Sequence, residues 1–336
     1  VDKKFKFYLL VISFSLVLVA VVSLLFGQIK IPFNEFLSAL LKRGGRIHSI
    51  IFDIRLPRFL LSSAVGAMLA LSGLVMQTIF RNPLVDPYFL GVSSAAQLGV
   101  SIAIVFGAGI TFFGISLASL LAFVFSLVLT VLLAKISTRI NAERSRAAIV
   151  LLGIAIAYLL SAFNNFLSMF KREVFLESTF WSLRGFSNAD ISQFLFAFPF
   201  LIIGFLYIIF HSKEMNIYLS SDITAHSLGI NLRWFISTML VFAALLTSVS
   251  VVVSGSIIFI GLFVPHIGRI LVGDERKKLA VISTLVGATI MPLFDFIARS
   301  ALPSQEIPVN VIASLIGAPF FIYLFFRMRD NGLFKY

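Results

Sequence analysis

The sequence predicts an all-α, polytopic membrane protein with about ten transmembrane helices. Three observations predict it. Hydrophobic residues make up 59% of the chain and charged residues only 12%, where a soluble domain carries roughly 25% charged residues. Mean hydropathy is +1.03. Apolar runs recur along the 336 residues at about the length a spanning helix requires, which is roughly 20 residues. Such a chain cannot cover itself with polar surface, so its solvent is lipid.

The first run follows Lys3, Lys4 and Lys6 and extends over residues 7–27. It is longer than the apolar core of a signal peptide, about 7–15 residues, and has no clear small-x-small site, so it reads as a retained span. Charge and Pro/Gly punctuation set the rest: 59–79, 88–108, 111–134, 147–170, 191–210, 234–253, 256–273, 279–299 and 308–326. Between Arg233 and Arg269 lie 35 uncharged residues, too many for one span. The Ser254-Gly255-Ser256 break divides them into two spans, or into one span and a re-entrant segment. The Gly107–Gly109 region separates spans 3 and 4. The whole of 1–336 is expected to form a single permease domain.

Lys and Arg concentrate on the cytoplasmic side of membrane proteins. Ten spans with both termini inside place 17 of the 27 basic residues inside and 10 outside. Both termini are therefore expected in the cytoplasm. Six of the ten outer charges fall in the first outer loop, 28–58, among them Lys30, Lys42 and Arg43. A faint internal echo relates Ser72-Gly73 to Ser254-Gly255, each followed nine residues later by a proline, Pro83 and Pro265. Segments five spans apart point opposite ways, as in inverted-repeat transporters.

Several chemistries are excluded. With no Cys, the chain has no disulfide, thiolate metal site or Cys nucleophile. No Gly precedes a Lys, so there is no P-loop. His48, His211, His226 and His266 are far apart, without metal-ligand spacing. Polar residues inside spans then point to transport.

The segment from Arg55 to Gly91, RLPRFLLSSAVGAMLALSGLVMQTIFRNPLVDPYFLG, carries small residues at Ser62, Gly66 and Ala70, with Gly73 and Gln77 continuing that face. Such a stripe allows close helix approach. Arg81-Asn82-Pro83 and Asp86-Pro87 then end one helix and begin the next. A second segment runs GSIIFIGLFVPHIGR over 255–269 and on to Gly273-Asp274-Glu275-Arg276. A third comprises Gly287-Ala288, Asp295, Ala298-Arg299, Glu306-Ile307-Pro308 and Gly317-Ala318-Pro319.

In order and spacing, from about residue 50 to 325, these segments resemble the iron-siderophore/vitamin B12 permease family, the membrane subunits of type II ABC importers. Asp86, Tyr88 and the Lys277-Lys278 pair depart from the usual pattern. The resemblance implies a vitamin B12 importer permease-like fold in the inner membrane and a homodimer with a central path at the subunit interface. It further implies two cytoplasmic ATPase subunits carrying ATP and Mg, and an extracytoplasmic substrate-binding protein. No cofactor is implied in this chain, which is expected not to be an enzyme, and no nucleic-acid partner is expected.

Residues 220–230 read as a short capped helix: Ser221, Asp222, Ile223, Thr224, Ala225, His226, Ser227, Leu228 and Gly229. Ser220 or Ser221 can N-cap it, Asp222 favours its positive end and Gly229 can end it. It is either a plain connector or, as the resemblance implies, the coupling helix that an ATPase subunit receives. Arg55, Arg58 and Arg299 stand at outer membrane ends, where arginines also serve as snorkelling anchors. The resemblance assigns them to docking of acidic residues on the binding protein. Asp295 and Arg299, four apart on one helix face, are expected to pair. Span 5 carries Asn164 and Asn165, with Ser145 at its inner end and Trp181 and Gly185 beyond its outer end. The resemblance makes these path or gate positions.

The alternative is an ion-coupled secondary transporter using Asp295 and the span-5 asparagines. The scarcity of titratable groups in mid-span weighs against it. As cargo, the resemblance implies a metal chelate: an iron-siderophore complex first, then cobalamin, with haem or an oxyanion also in its range.

Overall fold

The computed structural model describes residues 3–27, 29, 31–41, 44–107, 111–112, 115–137, 142–302 and 305–330. Lys30, Lys42, Arg43, Arg139, Lys335 and the Ala108-Gly109 break between spans 3 and 4 lie outside the described residues.

The chain opens with α1 (Lys3–Leu25), α2 (Phe33–Leu41) and α3 (Arg46–Ser49). A π-helical turn, Ile50–Arg55, runs without a break into α4 (Leu56–Ile79). The segment read as an outer loop is therefore largely helical. Pro57 falls inside this continuous helical stretch, directly after the π-helical turn, and lacks the N–H that would continue the hydrogen-bond ladder there. A 3-10 turn, Pro87–Leu90, leads to α5 (Val92–Val105). Two-residue strands β1 (Thr111–Phe112) and β2 (Ile115–Ser116) pair antiparallel, Thr111 opposite Ser116. Then follow α6 (Leu117–Ser137), α7 (Ala142–Phe170), α8 (Arg172–Leu183), α9 (Ile191–Phe210) and α10 (Ser212–Ser220). The last five are α11 (Asp222–Ser227), α12 (Leu232–Ser254), α13 (Ile260–Val272), α14 (Arg276–Ser300) and α15 (Val309–Asp330).

Among the described residues eight helical stretches are long and apolar enough to span a bilayer, and α5 and α13 are shorter apolar helices. Together they account for the ten predicted segments. The predicted 256–273 span is helical only from Ile260. At 13 residues α13 covers about 20 Å, short of a hydrocarbon core of about 30 Å.

The reason lies in how the two short helices are entered. Asp86 caps the 3-10 turn by accepting from the Tyr88 N–H at 2.9 Å, and Gly91 takes φ +76°. Gly255 (φ +72°) and Phe259 (φ +73°) break the chain before α13. The two breaks face each other. Tyr88 Oη accepts from the Ile257 N–H at 3.1 Å, and the hydroxyls of Ser93 and Ser256 are hydrogen-bonded. Irregular backbone inside a membrane persists only where protein satisfies its polar groups, and each break satisfies part of the other. The Ser72-Gly73 and Ser254-Gly255 dipeptides occupy unlike places: Gly73 lies inside α4, whereas Gly255 ends α12.

Helix α4 is the centre of the protein, buried from Ala64 through Ile79. It packs on α14, α12, α9 and α13, while α12 also packs on α6. Lipid tails are as apolar as leucine, so close backbone approach rather than water exclusion holds such helices together. The small-residue stripe serves that end. A Cβ on Gly66 would stand 2.1 Å from the Gly287 carbonyl oxygen, and one on Gly73 would stand 1.8 Å from that of Gly261. Ser72 Oγ donates to the Ala243 carbonyl at 2.7 Å, fastening α4 to α12.

Candidate functional site

On the side to which α4 runs, α10 and α11 form a hairpin. Ser221 is the N-cap of α11, its Oγ accepting from the Thr224 N–H at 2.9 Å. Gly229 (φ +83°) ends the turn, with the Ile230 N–H donating to the Ala225 carbonyl at 3.0 Å. The capped helix expected from the sequence is therefore present, with Ser221 rather than Ser220 as its cap. Ala225 is buried, while Ile223 is 81% exposed and Leu228 62%. Thr224 and His226 belong to the same turn and a half, His226 exposed.

Two anchors hold this hairpin. Arg81, in the turn after α4, pairs with Asp222 at 2.6 Å, donates to the Tyr218 carbonyl and lies 4.4 Å over the Tyr218 ring. Tyr218 Oη donates to the Ile79 carbonyl at 2.9 Å, one of the acceptors the end of α4 leaves open. Arg81 has φ +47°, a left-handed conformation that a residue with a Cβ adopts at a cost of about 1 kcal/mol. The other anchor is Asn216 of α10, whose Oδ1 accepts from the Arg276 N–H at 3.0 Å. The hairpin is thus tied to the end of α4 and the start of α14, two helices that pack against each other. The sequence marked Arg81 as a helix end but offered no sign of its partners, which lie 137 and 141 residues away.

Gln77 has a structural task. Pro265 has no N–H, which leaves the Gly261 carbonyl without its helical donor. Gln77 Nε2 donates to that carbonyl at 3.2 Å and to Leu262 at 3.0 Å.

At the opposite end stand Arg55, Arg58 and Arg299. All are buried: Arg55 is 5% exposed, Arg58 7% and Arg299 6%. Arg55 donates to the carbonyls of Leu24 and Ile29, and Arg299 to the carbonyl and hydroxyl of Ser23. Arg58 makes a two-pronged contact with Asp295, 2.8 Å on each arm, and reaches Glu306 at 3.0 Å. The expected Asp295–Arg299 pair is corrected by this: the acceptor atoms of Asp295 go to Arg58, and the guanidinium of Arg299 goes to α1. Sequence spacing favoured the neighbour four residues away. The fold brings a partner from 237 residues away with better geometry.

Arg58, Asp295 and Glu306 line a cavity of about 340 Å³ together with Arg184 and Gly185. Arg184 donates to the Val252 carbonyl at 2.6 Å, and burial lowers its pKa from the ordinary arginine value. Gly185 (φ +57°) lies under Val309 of α15. Trp181 is buried, and its Nε1 donates to Ser119 Oγ at 3.3 Å. Asn164 is buried and accepts from the Ser101 hydroxyl, whereas Asn165 is exposed. Ser145 lies in the first turn of α7, and its side chain is outside the described residues. Asn164 and Asn165 thus differ in burial, and Asp295 is paired with Arg58.

Residues 15–327 match the FecCD transport family. A Helicobacter pylori (strain ATCC 700392 / 26695) protein named as an iron chelatin transport system permease is 36% identical over 332 residues, covering 95% of this chain and 98% of the relative. The molybdate import system permease protein MolB of Haemophilus influenzae is 34% identical over 96% of both chains. The vitamin B12 import system permease protein BtuC of Klebsiella pneumoniae is 32% identical, covering 98% of this chain and 97% of the relative. A solved metal-chelate type ABC transporter in an inward-facing conformation superposes with a TM-score of 0.83 at 31% identity, covering 95% of this chain and 98% of that one. The chain belongs to the FecCD transport family, as a membrane permease subunit of an ABC importer of the metal-chelate and vitamin B12 type and not as an enzyme.

Proposed function

We propose that two copies of this chain form a homodimeric permease for a metal chelate, an iron-siderophore complex first and cobalamin second. ATP hydrolysis on two separate cytoplasmic subunits drives it, and an extracytoplasmic binding protein loads it. The observation that carries the reading is the anchored hairpin. Helix α11 presents Ile223 and Leu228 outward while Arg81 and Asn216 fix it to α4 and α14. A short rigid helix with an apolar tip suits a groove on an ATPase subunit, and its two anchors pass a displacement into the packed core. On this reading α11 and both termini lie in the cytoplasm.

The exposed apolar faces of α7 and α15, with Tyr158, Phe166, Leu315 and Tyr323 among them, suit a contact with the second copy and with lipid. Residues 147–170 and 309–326 carry no charge, so a path along them would let a bulky chelate slide rather than bind. Ser145, Asn164 and Asn165 on α7, with Trp181 and Gly185 after it, are the proposed path and gate positions. Outside, the binding protein would dock over the ends of α4 and α14, where Arg55, Arg58 and Arg299 stand. An acidic lobe there would compete with Glu306 for Arg58.

The test is reconstitution. The purified chain alone hydrolyses no ATP. Liposomes holding the chain and its ATPase subunit take up an iron chelate only with binding protein outside and ATP inside. Uptake driven by a proton or sodium gradient without ATP would contradict the proposal.

A further inference from the structure

On the α11 side of the membrane the ends of α4, α13 and α15 and the start of α14 enclose a second cavity, of about 630 Å³. Its charges are one-sided. Arg81, Arg269, Arg276 and Arg327 line it, with Asp274 the one lining carboxylate, and Arg81 is also paired with Asp222. The Asp274 carboxylate is shared: it accepts from Arg269 Nε at 2.7 Å and from Arg276 at 3.0 Å. Arg276 is only 2% exposed, and its Nε and one terminal nitrogen have no hydrogen-bond partner. Arg81 Nε is likewise buried without one. Buried guanidinium groups short of acceptors are costly, and a ligand that supplies acceptors removes the cost.

The helix start adds to the imbalance. Helix α14 begins Arg276-Lys277-Lys278 with no acidic residue in its first turn. The N-terminal end of a helix already carries partial positive charge and favours anions; Glu275, the N-cap of α14, meets one of the three cations by pairing with Lys278 at 2.8 Å. The cavity also has an apolar flank. Ile270 lines it and is 60% exposed, in line with an acyl chain lying beside a charged headgroup.

We propose that this cavity binds a phosphate group, presented by an acidic phospholipid of the adjoining leaflet or as a free ion. Four arginines from four segments would share its oxygens, and planar guanidinium groups match phosphate geometry. The bound anion would fasten α4, α13, α14 and α15 together beside the anchors of the α10–α11 hairpin. The inference stands on the cavity itself, whatever α11 contacts.

The experiment uses the full chain, delipidated in a neutral detergent. Its melting temperature is followed during titration with short-chain phosphatidylglycerol, with phosphatidylcholine of equal chain length, and with inorganic phosphate against chloride at matched ionic strength. A saturable rise with phosphatidylglycerol alone supports the site and assigns the lipid as source. A rise with inorganic phosphate as well supports it and shows that the free ion suffices. Arg276→Gln is expected to weaken the response about tenfold, the loss of one charge-assisted hydrogen bond. Because Arg276 is buried and its variant risks poor folding, Arg327→Gln at the exposed rim is the second variant, with the same direction expected. No rise with either phosphate compound, an equal rise with phosphatidylcholine, or an unchanged response in Arg327→Gln with native mass spectrometry showing no bound phosphate or lipid would overturn the proposal.

Discussion

Arg81, two residues past the end of α4, and Asp222, the first residue of α11, are joined by a 2.6 Å ion pair. The pair spans the junction between the buried core and the exposed hairpin. Both side chains are about three-quarters buried, so its contribution to stability is modest, about 1 kcal/mol. Under the proposed coupling role of α11 its mechanical contribution is larger. Arg81→Ala and Asp222→Ala are expected to lower melting temperature only slightly and to cut transport per ATP hydrolysed several-fold in the assembled importer. Coupled uptake and ATPase assays on the same liposomes separate the two effects.

Gln77 supplies the hydrogen bonds that Pro265 takes away from α13. Gln77→Leu leaves the Gly261 carbonyl unpaired inside the protein, at a cost of about 1–3 kcal/mol. Asn165→Ala, on the exposed face of α7, is expected to change stability by no more than about 0.5 kcal/mol. Thermal melting of the two variants in the same detergent checks the contrast.

The crossing of α4 over α14 and α13 tolerates no side chain at two positions. Gly66→Ala and Gly73→Ala would place a Cβ against a backbone carbonyl at 2.1 Å and 1.8 Å. Backbone cannot step aside as a flexible side chain can, so each helix must move, at about 1–3 kcal/mol or more. A lower melting temperature and a lower yield of monodisperse protein are expected for both.

The Arg58–Asp295 contact allows a test by restoration. Removing one partner strands a buried charge, which costs about 3–5 kcal/mol, whereas replacing both with apolar residues is often near neutral. Asp295→Leu alone and Arg58→Met alone are expected to melt well below the wild type. The Arg58→Met/Asp295→Leu double variant is expected to recover most of the loss, Glu306 being exposed enough to turn to water. If the double variant melts below both singles, the pair is not the source of the cost.

What the sequence disclosed follows the range of the signals. Hydropathy and punctuation gave the ten apolar segments, because a spanning helix is written in consecutive residues. Helix α11 was legible for the same reason: Ser221, Asp222 and Gly229 act on their own turn. The length of α13 was not, because its break at Gly255 and Phe259 depends on Tyr88 and Ser93 from another segment. Phe259 at positive φ carries no local signal at all. Arg55, Arg58 and Arg299 read from topology as facing outward, and their burial is hidden because their partners are distant in sequence: 26 and 31 residues for Arg55, 237 for Arg58 and 276 for Arg299. The basic cavity was equally silent: Arg81, Arg269, Arg276 and Arg327 meet only when four helices close around them.

The central claim is that an ATPase subunit receives α11 on the cytoplasmic side. Since the chain contains no cysteine, Ile223→Cys gives the protein a single thiol, and Ile223 is 81% exposed. Its labelling by a membrane-impermeant maleimide can be compared in right-side-out vesicles, in inverted vesicles, and in inverted vesicles with the ATPase subunit added. The account predicts no labelling in the first, full labelling in the second and protection in the third. Labelling in right-side-out vesicles, or the same rate in inverted vesicles with and without the ATPase subunit, would contradict it.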